Sequence, residues 1–407
     1  MSHLISAHQG RPGDDPIFAL NQSATERRAR GETIVNATVG ALLDDAGKLA
    51  VLPTAARAVH EVPAGEWAAY APISGLPDFL RAAQDDLLGR APALRECAVA
   101  AATPGGSGAL HHAIKNFLEP GQTLLTTNFY WGPYQTLADE AERRVTTFEM
   151  FADEDGALVF DVAALDRALG ATVAEQKRAL IFLNDPCHNP TGYSMTEDEW
   201  RDALDVIVAH GQNAPVTVLV DVAYADYGAR DFRGTLGRFE RLLGSCQLLF
   251  AYSASKAFTH YGLRVGAIVA CAPDAKERAQ IGAALGYSCR GTWSNCVRGG
   301  QVAITRLLTD PELSAAVKRE REDLKALLLR RVAAFNARAK EAKLRYPRYE
   351  GGFFVTVFCD DGPKEAARMR ERGVFVVPQK KAVRVALCGV SEAEVPRLVE
   401  ALAPLGA

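Results

Sequence analysis

The chain has 407 residues, 48% of them hydrophobic and 23% charged, so it is globular and large enough for two domains around sizeable cores. Its formal charge of −3 gives no electrostatic footprint for nucleic acid or an anionic membrane, and no long uncharged apolar segment occurs. The polar start MSHLISAHQGRPGDD predicts no signal peptide, and eight cysteines without CxxC pairs or Cys/His ligand spacing predict no metal site and reduced thiols in a cytoplasmic protein.

From about residue 95 to 270, short β-rich runs alternate with helical stretches: TLLTTN at 123–128, RALIFLND at 178–185, VTVLVDVAY at 216–224, LLFAYS at 248–253 and VGAIVA at 265–270. That alternation predicts an α/β fold whose large domain has a mostly parallel central sheet flanked by helices. A segment rich in Ala, Leu, Arg, Lys and Glu from about 311 to 345 predicts one long helix. GGFFVTVFCD at 351–360, a helix near 363–372, VFVVPQ, AVRVALCG and a final helix from about 391 to 403 follow it. The later part therefore reads as a smaller α+β domain. We expect a large domain over 50–310, a small one from 15–49 with 311–407, and an N-terminal arm over 1–14.

Lys256 is the most informative residue. An apolar run delivers it between Ser253 and Ser255, with Arg264 eight residues on. A lysine amine becomes a useful nucleophile when burial or cationic neighbours suppress its charge, and hydroxyl and guanidinium donors suit a phosphate. In open α/β sheets ligands sit beyond the carboxyl ends of the strands, so loops there carry functional weight. TPGGSGALHHAIKNF at 103–117 is a glycine-rich turn opening a helix, where Gly106, Ser107 and Gly108 can present N–H groups to a phosphate. In NDPCHNPTG at 184–192, Pro190 stiffens the turn that aims Asn189. In DVAYADYG at 221–228, Asp221 ends an apolar run and needs a partner, for which a pyridinium N–H is well suited, and Tyr224 follows three residues later. Cys187 beside His188 is not expected to form a site, because adjacent side chains on an extended segment point apart.

Together HNPTG, the D-x-A-Y segment, SxSK and the trailing Arg264 stand in the order of the fold-type I pyridoxal-phosphate aminotransferases, and over about residues 36–390 the chain resembles the aspartate and aromatic amino acid group. The resemblance implies pyridoxal 5'-phosphate as cofactor, attached to Lys256, with Asp221 on its ring nitrogen and Asn189 and Tyr224 on its 3-oxygen. It assigns Gly106, Ser107, Ser253, Ser255 and Arg264 to the phosphate and Trp131 to stacking on the ring. It implies ping-pong transfer of an amino group between an L-amino acid, aspartate or aromatic, and 2-oxoglutarate, with small-domain closure over the substrate; the alternatives are another pyridoxal-phosphate enzyme of the same fold, a β-lyase, decarboxylase or narrow biosynthetic transaminase, and more remotely a non-catalytic ligand sensor.

For the substrate, the resemblance places Arg384 on the α-carboxylate and Gly40 in the closing N-terminal loop. Read from its residues alone, the alternative for Arg384 in KKAVRVALCGV is a solvent-facing strand residue in a basic cluster with Lys380 and Lys381. Tyr70 matches a tyrosine that reaches the other subunit's phosphate. Arg290, in CRGTWSN, matches an arginine that pairs, again across a homodimer, with a substrate side-chain carboxylate. Three departures stand out: Tyr134 where aspartate enzymes carry a histidine, NDPC before HNPTG, and FTHYGLR between Lys256 and Arg264.

Overall fold

The computed structural model describes residues 2–13 and 15–406. Met1 and Asp14 of the expected arm, and Ala407 at the end of the expected small domain, lie outside the described residues.

Seven strands build the central sheet: β1 (Ala98–Thr103), β2 (Thr123–Thr127), β3 (Arg144–Phe148), β4 (Ala179–Asn184), β5 (Val216–Asp221), β6 (Gln247–Ser253) and β7 (Gly266–Cys271). Their order is β1-β7-β6-β5-β4-β2-β3. From β6 to β3 all pairs are parallel, while β7 runs antiparallel to both β6 and β1. Strands β4, β5 and β7 are buried throughout, which is why they read as unbroken apolar runs. Alternate side chains feed two cores: Leu219, Leu249, Ala251 and Ile268 pack on one face, Val218, Val220, Leu248, Phe250 and Val269 on the other.

A second, three-stranded sheet comprises β8 (Phe354–Phe358), β9 (Val377–Gln379) and β10 (Ala382–Ala386), with β10 central and antiparallel to both neighbours. Its core draws on Val35 and Ala37 near the N-terminus and on Val332 and Phe335 of the long helix Pro311–Glu341. That helix stops four residues short of the expected 345. The final helical stretch is a 3-10 turn, Glu392–Glu394, followed by the α-helix Val395–Leu402. Among the described residues no helix is long and apolar enough to cross a membrane, and no cluster of His, Cys, Asp and Glu is placed to hold a metal.

Candidate active site

Strands β4, β5 and β6 end side by side at Asn184, Asp221 and Ser253, and the helix α1 (Gly105–Phe117) starts next to them. A cavity of about 440 Å³ opens there. Gly106, Ser107, Trp131, Asn189, Asp221, Tyr224, Ser253, Ser255, Lys256 and Arg264 line its floor, while Gly40, Phe354 and Arg384 come from the loop and sheet opposite. Residues spread over most of the chain thus meet in one space at the carboxyl edge of the parallel strands.

Lys256 lies in a single helical turn, Ala254–Ala257, whose N-cap Ser253 accepts from the Ser255 N–H. Its Nζ donates to the Gly40 carbonyl at 3.1 Å and stands 4.5 Å from the centre of the Tyr261 ring. Among the described residues no carboxylate forms an ion pair with it. Burial pushes its amine down to about 8, because the charged form loses its hydration. Asp221 shows the opposite effect. It is buried, and desolvation pushes its carboxyl up to about 6 against the hydrogen bonds from the Tyr134 hydroxyl (2.9 Å) and the Ala223 N–H (3.2 Å). The cavity therefore holds an amine that is neutral unusually early and a carboxylate short of positive partners.

Around Lys256 the polar groups converge. Arg264 donates to the Pro104 carbonyl at 3.0 Å and to Ser255 Oγ at 3.2 Å, tying the glycine-rich turn to the lysine turn. Gly105 is required there: it has φ +68°, and a Cβ would come within 2.5 Å of the Arg264 guanidinium. Gly108 does not face the cavity. It is buried against Thr103 and Pro104, so close helix–strand packing and not anion contact explains that glycine. Asn189 is held by its backbone N–H, which donates to Asn184 Oδ1 at 2.6 Å, and its own Oδ1 is buried without a partner among the described residues. Tyr224 packs against Phe353 and Phe354, and burial raises its hydroxyl pKa. Trp131 is half-buried at the cavity wall, so it is not a core tryptophan.

Arg384, on β10, is 5% exposed. It donates to the Thr38 carbonyl and lies 4.6 Å from the Phe354 ring centre, but its Nε has no partner and no carboxylate pairs with it among the described residues. Its burial excludes the solvent-facing alternative. A desolvated guanidinium without a counter-ion suits an incoming carboxylate.

Two expected residues stay apart. Tyr70 is 87% exposed, and Arg290, at the end of the helix Ala275–Thr292, is exposed and donates to Ser294 Oγ at 2.6 Å. Three residues of the site went unassigned in the sequence: Tyr134, which bonds Asp221; Tyr261, whose hydroxyl accepts from the Leu42 N–H at 3.0 Å; and Asn184, which also donates to the Asp221 carbonyl at 2.8 Å. The only signals for them were the departures in FTHYGLR and NDPC and the tyrosine at 134.

The family model for aminotransferase class I and II matches residues 32–402. An aromatic-amino-acid aminotransferase of Paracoccus denitrificans is 26% identical over 349 residues, covering 83% of this chain and 84% of that one. An aspartate aminotransferase of Escherichia coli is 27% identical over 403 residues, covering 95% and 96%. The crystal structure of an aminotransferase from Anaerococcus prevotii superposes with a TM-score of 0.94 at 32% identity, over 100% of both chains. The chain belongs to the class I and II aminotransferase family.

Proposed function

We propose that this aminotransferase uses pyridoxal 5'-phosphate to move the amino group of an L-amino acid, aspartate or an aromatic one, to 2-oxoglutarate by a ping-pong cycle. The observation that carries the reading is one cavity holding both a charge-suppressed lysine, Lys256, and a buried guanidinium that pairs with no carboxylate among the described residues, Arg384. The names of the Paracoccus and Escherichia relatives, an aromatic-amino-acid and an aspartate aminotransferase, support the two amino donors. A small domain of 15–49 with 311–407 closing on a large one of 50–310 fits the separate core shared by Val35, Val332 and β10.

The residues fit the cofactor. Among the described residues Asn189 Oδ1 is an orphaned buried polar atom and Asp221 has no ion-pair partner, and Ser107, Ser253, Ser255 and Arg264 gather hydroxyl and guanidinium donors beside the backbone of Gly106. When bound, pyridoxal 5'-phosphate supplies an aldehyde for the amine and an electron-withdrawing ring that stabilises charge at the substrate Cα. Lys256 supplies first the nucleophile and then, as a free base, the group that takes the Cα proton on Nζ. Asp221 favours a positive N–H in the cavity, and Asn189 and Tyr224 would bond the 3-oxygen, with Trp131 against the ring. Arg384 orients the α-carboxylate through its planar fork.

A homodimer completes the reading. Tyr70 and Tyr287 are 87% and 83% exposed, and Trp67, Ile73 and Val297 add further uncovered apolar surface. Arg290 lies one helical turn beyond Tyr287 on the same helix, and the reading assigns Tyr70 and Arg290 to the partner's cavity in a dimer formed over this surface. All eight cysteines are free, which fits a cytoplasmic location. The test is the visible spectrum of the purified protein with pyridoxal 5'-phosphate, before and after single additions of aspartate, glutamate, tyrosine, phenylalanine and alanine. Bleaching by an amino acid and recovery on adding 2-oxoglutarate is expected. A colourless protein, or one that none of them bleaches, overturns the reading.

A further inference from the structure

The carboxylate that ends β5 is held by a phenol. Tyr134 lies in the helix Pro133–Glu140 and is 1% exposed, and its hydroxyl donates to Asp221 Oδ2 at 2.9 Å. Its ring is fixed from two sides, edge-on to Phe182 of β4 at 5.2 Å and to Trp131 at 6.0 Å. The other carboxylate oxygen accepts from the Ala223 N–H, and the Asp221 main-chain carbonyl accepts from Asn184 Nδ2. Tyr134 is the one side chain among the described residues that hydrogen-bonds the carboxylate.

We propose that Tyr134 is a positioning residue for the reaction, keeping Asp221 ionised and in one orientation so that its carboxylate is available to the positive ring N–H of bound pyridoxal 5'-phosphate. The proposal rests on the functional reading above. Two physical points carry it. A buried carboxylate without hydrogen-bond donors takes up a proton, and a protonated carboxyl no longer favours a neighbouring cation. A phenol is also a neutral donor. It stabilises the anion without placing a second positive charge beside Asp221, where it would repel the ring N–H.

Tyr134→Phe keeps the ring packing and deletes one hydrogen bond to an ionised group, a change that corresponds to roughly tenfold or more. The expected result is a roughly tenfold lower kcat with KM for the amino acid little changed, and weaker uptake of pyridoxal 5'-phosphate in an absorbance titration. In an Asp221→Asn background Tyr134→Phe should add little, because both act through one carboxylate. Wild-type kinetics and affinity in Tyr134→Phe, or a full further loss on adding Tyr134→Phe to Asp221→Asn, would overturn the proposal.

The cofactor-free protein gives an independent readout. The Asp221 carboxylate band in the infrared, assigned by its disappearance in Asp221→Asn, should titrate at higher pH in Tyr134→Phe. The titratable groups facing it are Tyr134, Tyr224 and Lys256. An unmoved band sinks the proposal while leaving the functional reading intact. A wild-type protein that takes up no pyridoxal 5'-phosphate sinks both.

Discussion

Lys256 Nζ donates to the backbone carbonyl of Gly40 at 3.1 Å, so the nucleophile of the proposed reaction touches a loop, Val39 to Ala41, that lines its own cavity. Two other side chains of the site hold the same loop by its backbone: Arg384 through the Thr38 carbonyl and Tyr261 through the Leu42 N–H. The loop is therefore placed by the groups that would bind cofactor and substrate, and its position is expected to respond to both.

Gly40 has no room for a side chain. A Cβ would lie 2.4 Å from Phe354 Cζ, and that ring is wedged edge-on to Tyr224 at 5.7 Å with the Arg384 guanidinium over it. Gly40→Ala must move the loop or the ring, at a cost of about 1–3 kcal/mol for overpacking. We predict that KM for amino acids rises roughly tenfold while pyridoxal 5'-phosphate uptake persists. Steady-state kinetics check this, and an unchanged KM would show that the loop does not contact the substrate.

Only the neutral Lys256 amine attacks an aldehyde. With its pKa pushed down to about 8 by burial, the neutral fraction grows as pH rises through that value instead of near 10.5. The rate of pyridoxal 5'-phosphate uptake by cofactor-free protein should therefore climb with pH to a plateau with a midpoint near 8, read by stopped-flow absorbance. Lys256→Ala should lose covalent uptake and turnover together. A variant that still transaminates at the normal rate ends the assignment of Lys256.

The two arginines separate by substrate. Arg384→Ala should weaken every amino acid, since all carry an α-carboxylate, and it also removes a guanidinium from the buried layer around Phe354. Arg290→Ala should weaken aspartate and glutamate far more than phenylalanine, provided a partner subunit brings Arg290 to the cavity. Analytical ultracentrifugation tests for the dimer that this condition requires. Equal losses on all substrates for Arg290→Ala remove the specificity role.

The residues that the sequence makes legible are those whose chemistry and chain neighbours coincide. Lys256 between two serines, Asn189 before Pro190 and Asp221 at the end of VTVLV each announce themselves locally, and the structure brings them together. Strand β1 does not: AVAAAT has the composition of a helix and becomes a strand because six consecutive residues pair with β7. Tyr134, Tyr261 and Asn184 are hidden for a related reason. Their roles come from hydrogen bonds to Asp221, Leu42 and Asn189, and two of the three span 87 and 219 residues of chain. Gly108 shows the converse, a glycine inside a phosphate-like motif that serves packing.

Asp221 trades stability for its place in the cavity. Burial pushes its carboxyl from the solvated 3.8 up to about 6, so between those values the folded state binds more protons than the unfolded one. Stability of the cofactor-free protein therefore falls as pH rises from about 4 to about 6, by about 3 kcal/mol, and stays lower above that. Asparagine carries no charge to desolvate and can still accept from Tyr134 or Ala223. Asp221→Asn should accordingly be more stable than wild type near about pH 7.5 and lose the advantage near about pH 4, while binding pyridoxal 5'-phosphate more weakly. Urea unfolding of the two cofactor-free proteins at both pH values measures it. A variant less stable than wild type at the higher pH would mean that hydrogen bonding to Asp221 outweighs the burial of its charge.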